Sequence, residues 1–100
     1  MESMQPEFIK ITEYCINYNI EPEFIISLEE SGIILLTLID NDKFIHEDQF
    51  GEVERYIHLH YDLHINIEGI DAIRHLLNRV NYMQHEIDRL KTHLHLHENA

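Results

Sequence analysis

A heptad pattern of apolar residues in the last third of the chain constrains the fold more than any other feature. Side chains at positions a and d recur there in alternating steps of three and four residues: Ile73, Leu76, Val80, Met83, Ile87, Leu90 and Leu94. His97 takes the next d position. Such a narrow stripe is typical of an α-helix that pairs with another helix in a coiled coil.

The helix that carries this stripe is predicted to be long. Asn66 is its expected N-cap, so the helix should run from Ile67 to about His97 and measure ~45 Å. β-Branched residues at a with leucine or methionine at d favour two strands, and a chain of 100 residues has little else to cover the stripe. We therefore expect a homodimer; a tail folded back on its own domain is the alternative. The predicted parts are a domain over 1–77 and a dimerising coiled-coil extension over 78–100.

The N-terminal third contains the signals of a helix-turn-helix. Residues 8–11 can form a short strand, and Thr12 is the expected N-cap of a helix over 13–18. Pro22 suits the first position of a second helix, where its missing amide costs nothing, and Gly32 is a natural stop. Two short helices around a tight turn are typical of a helix-turn-helix.

The middle of the chain predicts a β-hairpin and a third helix. The apolar run from Ile33 to Ile39 should form one strand, residues 40–42 a turn, and residues 43–45 the return strand. A third helix should start at His46 and end near Leu63. Its expected apolar stripe is Phe50, Val53, Ile57 and Tyr61. The sequence thus predicts a mainly α fold, a winged helix-turn-helix with a small β-hairpin wing and a long C-terminal dimerisation helix.

The charge of the chain argues against a nucleic-acid partner. The chain has 19 acidic residues against 7 lysines and arginines, a net charge of −12 with histidine neutral. DNA-binding proteins draw most of their affinity from cations that contact phosphate. Residues 21–31, which include the second helix and hence the would-be recognition helix, contain no base and four acids: Glu21, Glu23, Glu29 and Glu30. A basic protein, or no charged partner at all, is therefore the better expectation.

Neither catalysis nor a metal site is predicted. The few serines and the three isolated glycines form no nucleophile motif and no phosphate loop. The pairs His60/His64 and His93/His97 have i,i+4 spacing, but neither has a clear third ligand. His64 should lie past the helix end. Cys15 is expected to be a small buried hydrophobe. We therefore expect no enzyme, no cofactor and no metal.

No segment predicts export or membrane insertion. Residues 1–7 are acidic and lack an apolar core, and the longest apolar run is far shorter than the ~20 residues of a spanning helix. A single cysteine cannot form an internal disulfide. The expected location is cytoplasmic.

One stretch of the sequence resembles a known family. Residues 58–70, His-Leu-His-Tyr-Asp-Leu-His-Ile-Asn-Ile-Glu-Gly-Ile, resemble the segment R-L-H-Y-D-L-x-I-N-x-E-G-I of the chaperone modulators, the CbpM-like proteins. These proteins are related in fold to MerR-type winged helix-turn-helix proteins. Ile11–Cys15 and Ile20–Ile25 resemble the family's first two helices, and the resemblance covers nearly the whole chain. His58 and His64 depart from the pattern, and the first departure removes a positive charge.

The resemblance implies a non-enzymatic regulator. Chaperone modulators bind the J-domain of a DnaJ-type co-chaperone, CbpA, and restrain its stimulation of the Hsp70 chaperone DnaK. An acidic face could cover the basic helical face of a J-domain. The acids of the second helix are therefore the expected docking residues; an ordinary solvated helix face is the alternative. Tyr61 and Asp62 either contact the partner or serve the fold, Tyr61 by filling a helix junction and Asp62 by capping a helix end. The alternative function is that of a MerR-type DNA-binding transcription regulator.

Overall fold

The structure, a computed structural model, describes residues 7–98, with side chains as far as residue 95. Its helices and strands, in chain order, are β1 (Phe8–Lys10), α1 (Ile11–Tyr18), α2 (Pro22–Glu30), β2 (Thr37–Ile39), β3 (Asp42–His46), α3 (Phe50–Ile57) and α4 (Ile67–Glu98). This order confirms the predicted mainly α, winged helix-turn-helix fold. The chain divides into two units, Met1–Ile70 and Asp71–Ala100. The predicted functional division at residue 77 stays a prediction.

Helix α1 begins one residue before the predicted N-cap, so the prediction for Thr12 is wrong. The helix starts at Ile11, and Lys10 is an extended N-cap residue without a side-chain cap. Lys10 still pairs with Phe44 in the sheet, so the chain passes directly from strand to helix. The buried residues of α1 then share one face at steps of three and four: Ile11, Tyr14 and Cys15.

Helix α2 confirms both of its predicted boundary signals. Pro22 occupies the first turn, where an amide would have no helical partner. At the other end Gly32 takes a left-handed φ of 75°, which favours glycine. The Gly32 amide donates to the Glu29 carbonyl at 3.0 Å. The Ile33 amide donates to the Leu28 carbonyl at 2.9 Å, and this pair of hydrogen bonds closes the helix.

The predicted strand that begins at Ile33 is wrong for its first four residues, because only Thr37–Ile39 is a strand. Ile33 and Ile34 are adjacent and both buried, whereas successive strand residues point to opposite faces. The Gln49 side-chain amide binds both the N–H and the C=O of Leu35, at 3.0 and 2.6 Å. Core burial and this side-chain clamp therefore override the strand propensity of the run.

The predicted hairpin is confirmed, and a third strand is added to it. Asp40 and Asn41 both have positive φ, 52° and 68°, as a tight two-residue hairpin turn requires. β3 pairs antiparallel with β2 on one side and with β1 on the other, in the order β1-β3-β2. The wing is therefore joined to the strand that leads into α1.

The third helix occupies the predicted span but changes its winding twice. A 3-10 turn (Glu47–Gln49) precedes α3 and a π-helical turn (His58–Asp62) follows it. Leu63, the predicted end, is the C-cap of the π-helical turn. Val53 is fully buried as predicted, and Tyr56, outside the predicted stripe, is buried beside it.

Helix α4 starts where Asn66 predicts. The Asn66 Oδ1 accepts a hydrogen bond from the Gly69 amide at 2.8 Å, which satisfies one orphan amide of the first turn. A Cβ on Gly69 would lie 2.6 Å from Ile65 Cγ2 and 3.1 Å from Asn66 Oδ1, so the capped turn favours glycine there. The helix continues to Glu98, close to its predicted end.

The core of the first unit consists of aliphatic and aromatic side chains and one cysteine, and no charged side chain is buried in the described part of the chain. It consists of Ile11, Tyr14, Cys15, Phe24, Ile25, Leu28, Ile33, Ile34, Ile45, Val53, Tyr56 and Ile70. Each of α1, α2, α3 and β3 contributes to it, so the helix-turn-helix and the wing share one core. Within residues 7–98, no helix has an apolar stretch long enough to span a bilayer.

His46 ends β3 beside two carboxylates. Its Nδ1 lies 2.7 Å from Asp48 Oδ1, and its Nε2 lies 3.5 Å from Glu7 Oε1. Its ring meets the Phe8 ring edge-on at 4.9 Å. The hydrogen bond to Asp48, helped by Glu7, raises the pKa of His46 above its ordinary value. An unprotonated Nδ1 accepts a hydrogen bond from the Asp48 amide at 3.1 Å. The two carboxylates nevertheless shift the folded state towards the protonated ring.

The cap of α4 yields a stability prediction. Asn66→Ala should lower the free energy of unfolding by about 1 kcal/mol, because the Gly69 amide loses its acceptor. Asn66→Asp keeps an acceptor at this position and should stay within about 0.5 kcal/mol of the wild type. Urea denaturation followed by circular dichroism measures both. Equal losses in the two variants would contradict the capping role.

The surroundings of His46 yield a pH prediction. The stabilisation from its protonated ring should be complete below its unfolded pKa of ~6.5 and should vanish as pH rises through the raised folded pKa. His46→Gln should therefore melt furthest below the wild type near pH ~5.5, and the difference should narrow towards pH ~8. His85→Gln, at an exposed position of α4, is the control. A difference in Tm between wild type and H46Q that is constant with pH would refute this.

Candidate protein-binding surface

The candidate surface is the exposed side of α2, the helix that meets DNA in helix-turn-helix proteins that bind it. A groove of about 330 Å³ is lined there by Pro22, Glu23, Ile26, Ser27 and Glu30. The buried residues of the helix are Phe24, Ile25 and Leu28. Helix α2 is therefore amphipathic, with one face in the core and an outer face that is acidic and partly apolar.

The four predicted acids of α2 differ in their surroundings. Glu23 and Glu30 are exposed and line the groove, and Glu21 is exposed at the N-cap position. Glu29 is half-buried, and its carboxylate binds Nζ of Lys43 in β3 at 2.6 Å. Three of the acids thus face solvent, whereas Glu29 ties α2 to the wing.

The cations near α2 are already paired. Besides the Lys43–Glu29 pair, Lys10 binds Asp42 at 3.2 Å. No other lysine or arginine occurs in the first fifty residues. The three exposed carboxylates of α2 make no ion pair with another described residue. The outer face of α2 therefore carries uncompensated negative charge.

Tyr61 supports the first turn of α2 from the π-helical turn. Its hydroxyl accepts a hydrogen bond from the Glu21 amide at 3.2 Å, and its ring meets the Phe24 ring edge-on at 5.4 Å. His60 stacks on Phe24 at 4.5 Å, and its Nδ1 donates to the Ile65 carbonyl at 2.9 Å. The structure thus brings together two predicted docking residues, Tyr61 and Glu21, and places Tyr61 at the helix junction.

The predicted capping role of Asp62 is wrong. Its carboxylate lies 2.7 Å from Nδ1 of His58, and both side chains are exposed. A helix end exposes carbonyls, and an ionised carboxylate has no proton to donate to them. Backbone amides serve instead: that of Leu63 donates to the His58 carbonyl, and that of Ile65 donates to the Leu59 carbonyl. A contact of Asp62 with a partner stays a prediction.

A second groove, of about 440 Å³, shares Pro22 with the first. It is lined by Thr12, Cys15, Ile16, Asn19, Ile20 and Pro22. Ile16 is 78% exposed and was not among the predicted site residues. Ile16 follows the buried Tyr14 and Cys15 by only two residues and one residue, so it points to a different side of the helix. This spacing is the sequence signal that would have placed Ile16 outside the core. The apolar part of the candidate surface is therefore larger than the sequence pattern indicated.

Two phenols and one thiol of α1, those of Tyr14, Tyr18 and Cys15, are held in their protonated forms. Burial raises the pKa of the Cys15 thiol, and Glu23 adds to the effect. Tyr18 donates a hydrogen bond to Glu54 of α3, which raises the pKa of Tyr18, and burial raises the pKa of Tyr14. Thiols and phenols are nucleophiles only when ionised. These three groups therefore serve packing and the attachment of α1 to α3.

The predicted heptad stripe is a row of exposed apolar side chains on α4. Ile73 is half-buried. The others are 46–60% exposed: Leu76, Val80, Met83, Ile87, Leu90 and Leu94. A contiguous apolar patch of this kind marks an interaction surface more often than isolated exposed residues do. The described part of the chain thus leaves the stripe open to solvent.

The histidines form no metal site within the described residues. No group of three or more histidine, cysteine, aspartate and glutamate side chains there could hold an ion. His64 lies past the π-helical turn with a φ of 59°, as predicted, so it shares no helical face with His60. The side chain of His97 lies outside the described residues. That the protein needs no metal stays a prediction.

Comparison with known proteins assigns the family. The model of the MerR HTH family regulatory proteins matches residues 9–92. The chain therefore belongs to the MerR HTH family. No curated protein and no solved structure matches the chain. The match confirms the MerR-related part of the predicted resemblance. The narrower relation to chaperone modulators stays a prediction.

Proposed function

We propose that this chain is a non-enzymatic chaperone modulator that binds the J-domain of a DnaJ-type, CbpA-like co-chaperone. Binding would restrain the co-chaperone's stimulation of DnaK. The resemblance of residues 58–70 to chaperone modulators supports the proposal. J-domains engage Hsp70 through a basic helical face, and an acidic surface is complementary to such a face.

The observation that carries the proposal is the negative charge on the outer face of α2. Glu23 and Glu30 face solvent there, and the wing turn adds Asp40. A DNA-binding protein of this fold needs cations on its recognition helix and wing, opposite the phosphates. Lys43, the lysine of the wing, is bound to Glu29. The surface is therefore suited to a basic protein and unsuited to a phosphate backbone.

The distribution of charge along the chain strengthens this argument. Residues 1–70 contain 15 acids and 3 lysines or arginines, whereas residues 71–100 contain four of each. The whole net charge of −12 thus belongs to the unit that contains α2. A field of one sign accelerates the approach of an oppositely charged partner.

A MerR-type DNA-binding transcription regulator is the second candidate. Family membership and the winged helix-turn-helix architecture favour it. A gel shift at low salt tests DNA binding, and a pull-down from the native cytoplasm followed by mass spectrometry tests for a J-domain protein. A shift with DNA and no captured J-domain protein would reverse the order of the two candidates.

We further propose that two copies of the chain pair through the heptad stripe of α4. The stripe is open to solvent in a single chain. Three of its four a positions are β-branched, as is typical of two-stranded coiled coils: Ile73, Val80 and Ile87. Burial of each aliphatic side chain contributes about 1.5–3 kcal/mol. A second copy supplies a matching stripe without requiring another partner.

The paired stripe predicts a change of oligomeric state. Ile87→Asp combined with Leu90→Asp should yield monomers, because both charges would be buried in the seam. Asn78→Asp combined with Thr92→Asp adds the same charge at f positions, outside the seam, and should leave a dimer. Sedimentation equilibrium measures the mass of each variant. A wild type that is monomeric at high concentration would refute the pairing.

The acidic face predicts the kinetics of association with a J-domain. Glu23→Lys combined with Glu30→Lys should slow association, because repulsion replaces attraction at the docking face. Association of the wild type should also slow as salt increases, since the Debye length falls to ~8 Å at physiological ionic strength. Surface plasmon resonance at several salt concentrations measures both effects.

A matched pair of substitutions controls for total charge. Glu47→Lys combined with Glu52→Lys changes the net charge equally at exposed positions outside α2. This pair should slow association much less than the α2 pair, and circular dichroism should show all variants folded. Equal slowing by the two pairs, or a rate that responds to neither salt nor substitution, would contradict docking on α2.

A further inference from the structure

Two grooves on the first unit meet at one residue. The groove on α2 has a volume of about 330 Å³ and the groove on α1 about 440 Å³, and Pro22 lines both. They form a single surface along the turn between the helices. We call it the Pro22 surface and define it by Thr12, Ile16, Ile20, Pro22, Ile26 and Ser27.

The floor of the Pro22 surface is aliphatic. Ile16 is 78% exposed, and Ile20 and Ile26 are partly buried, packed against the core on one side and lining a groove on the other. A single exposed isoleucine is ordinary in a soluble protein. Three isoleucines around two adjoining grooves form concave apolar sites that aliphatic side chains of a partner could fill.

The edges of the Pro22 surface are acidic. Glu13 lies on α1 one turn before Ile16, and Glu23 and Glu30 line the α2 groove. None of these carboxylates makes an ion pair with another residue in the described part of the chain. Lysines and arginines beside an apolar stripe are the complementary chemistry.

The backbone beneath this surface is already hydrogen-bonded. The Ile20 amide donates to the Cys15 carbonyl and the Phe24 amide to the Glu21 carbonyl, each at 3.0 Å. Two helices offer no sheet edge, so an extended peptide lying across them would leave its own amides and carbonyls unpaired. A helix satisfies these groups internally. The surface therefore fits a helix better than an extended segment.

We propose that the Pro22 surface receives an amphipathic, basic helix of the partner. Aliphatic side chains of that helix enter the grooves on either side of Pro22, and its lysines or arginines meet Glu13, Glu23 and Glu30. The inference rests on the proposed function in so far as the partner is a basic protein. The grooves then determine how long the complex lasts, while the acids determine how fast it forms.

Isothermal titration calorimetry with the J-domain of a CbpA-type co-chaperone tests the role of the grooves. Ile16→Ser should raise the Kd at least about ten-fold, because an aliphatic contact is lost. Leu35→Ser removes an aliphatic side chain of the same exposure, 78%, outside the surface, and should change the Kd less than about two-fold. Ile26→Ser should act like Ile16→Ser, and melting curves should show that each variant is folded.

A J-domain that binds I16S and I26S as tightly as the wild type would overturn the inference and leave the proposed function standing. A J-domain that does not bind the wild type would refute the proposed function, and a second probe then decides the inference. This probe is a helical peptide of about 14 residues with leucine at i, i+3, i+4 and i+7 and lysine elsewhere.

The peptide is added to the full ¹⁵N-labelled chain, and amide shifts are followed by NMR. Changes should centre on Thr12, Ile16, Ile20 and Ser27. A control peptide with two central residues replaced by proline cannot form the helix, and it should produce much smaller changes in the amide shifts. Changes confined to α4, no changes at all, or equal changes with the proline peptide would overturn the inference.

Discussion

The position of α2 depends on an aromatic contact with the π-helical turn that follows α3. Phe24 stacks on His60 and meets Tyr61 edge-on. The Tyr61 hydroxyl accepts a hydrogen bond from the amide of Glu21, the N-cap residue of α2. A helix of nine residues has little stability of its own. Burial of Phe24, Ile25 and Leu28 in the core holds the inner face of α2, and the aromatic cluster at one end and the Glu29–Lys43 ion pair at the other add to this attachment. With its inner face buried, the helix presents its outer face to solvent.

The fold and the surface of this protein point to different conclusions. The architecture and the family are those of MerR HTH regulatory proteins, yet the helix that would read DNA carries exposed carboxylates and no cation. A core of aliphatic and aromatic side chains sets the architecture, and it places few demands on the residues outside it. Substitution on the outer face can therefore change the class of partner while the core and the family stay the same.

Signals that act within a few residues were readable in the sequence. Pro22, Gly32 and Asn66 each meet a local backbone requirement, at a helix start, a left-handed turn and an N-cap, and each prediction was confirmed. The errors have a different origin. The run after Ile33 has high strand propensity, but two adjacent isoleucines are buried in the core and Gln49 from a distant turn binds the backbone between them and β2. Thr12 failed as a cap because β1 pairs in a sheet that only the folded chain assembles.

For the candidate surfaces, the sequence by itself determined the charge and which acidic and apolar side chains are present. It showed four acids and no base over residues 21–31, and it showed the heptad stripe of α4. Only the tertiary structure decided which groups are free. It paired Glu29 with Lys43, left Glu23 and Glu30 facing solvent, and joined the groove of Ile16 to that of α2 at Pro22. The physical reason is range: caps and turns are set by neighbouring residues, whereas ion pairs and grooves depend on which distant segments a shared core brings together.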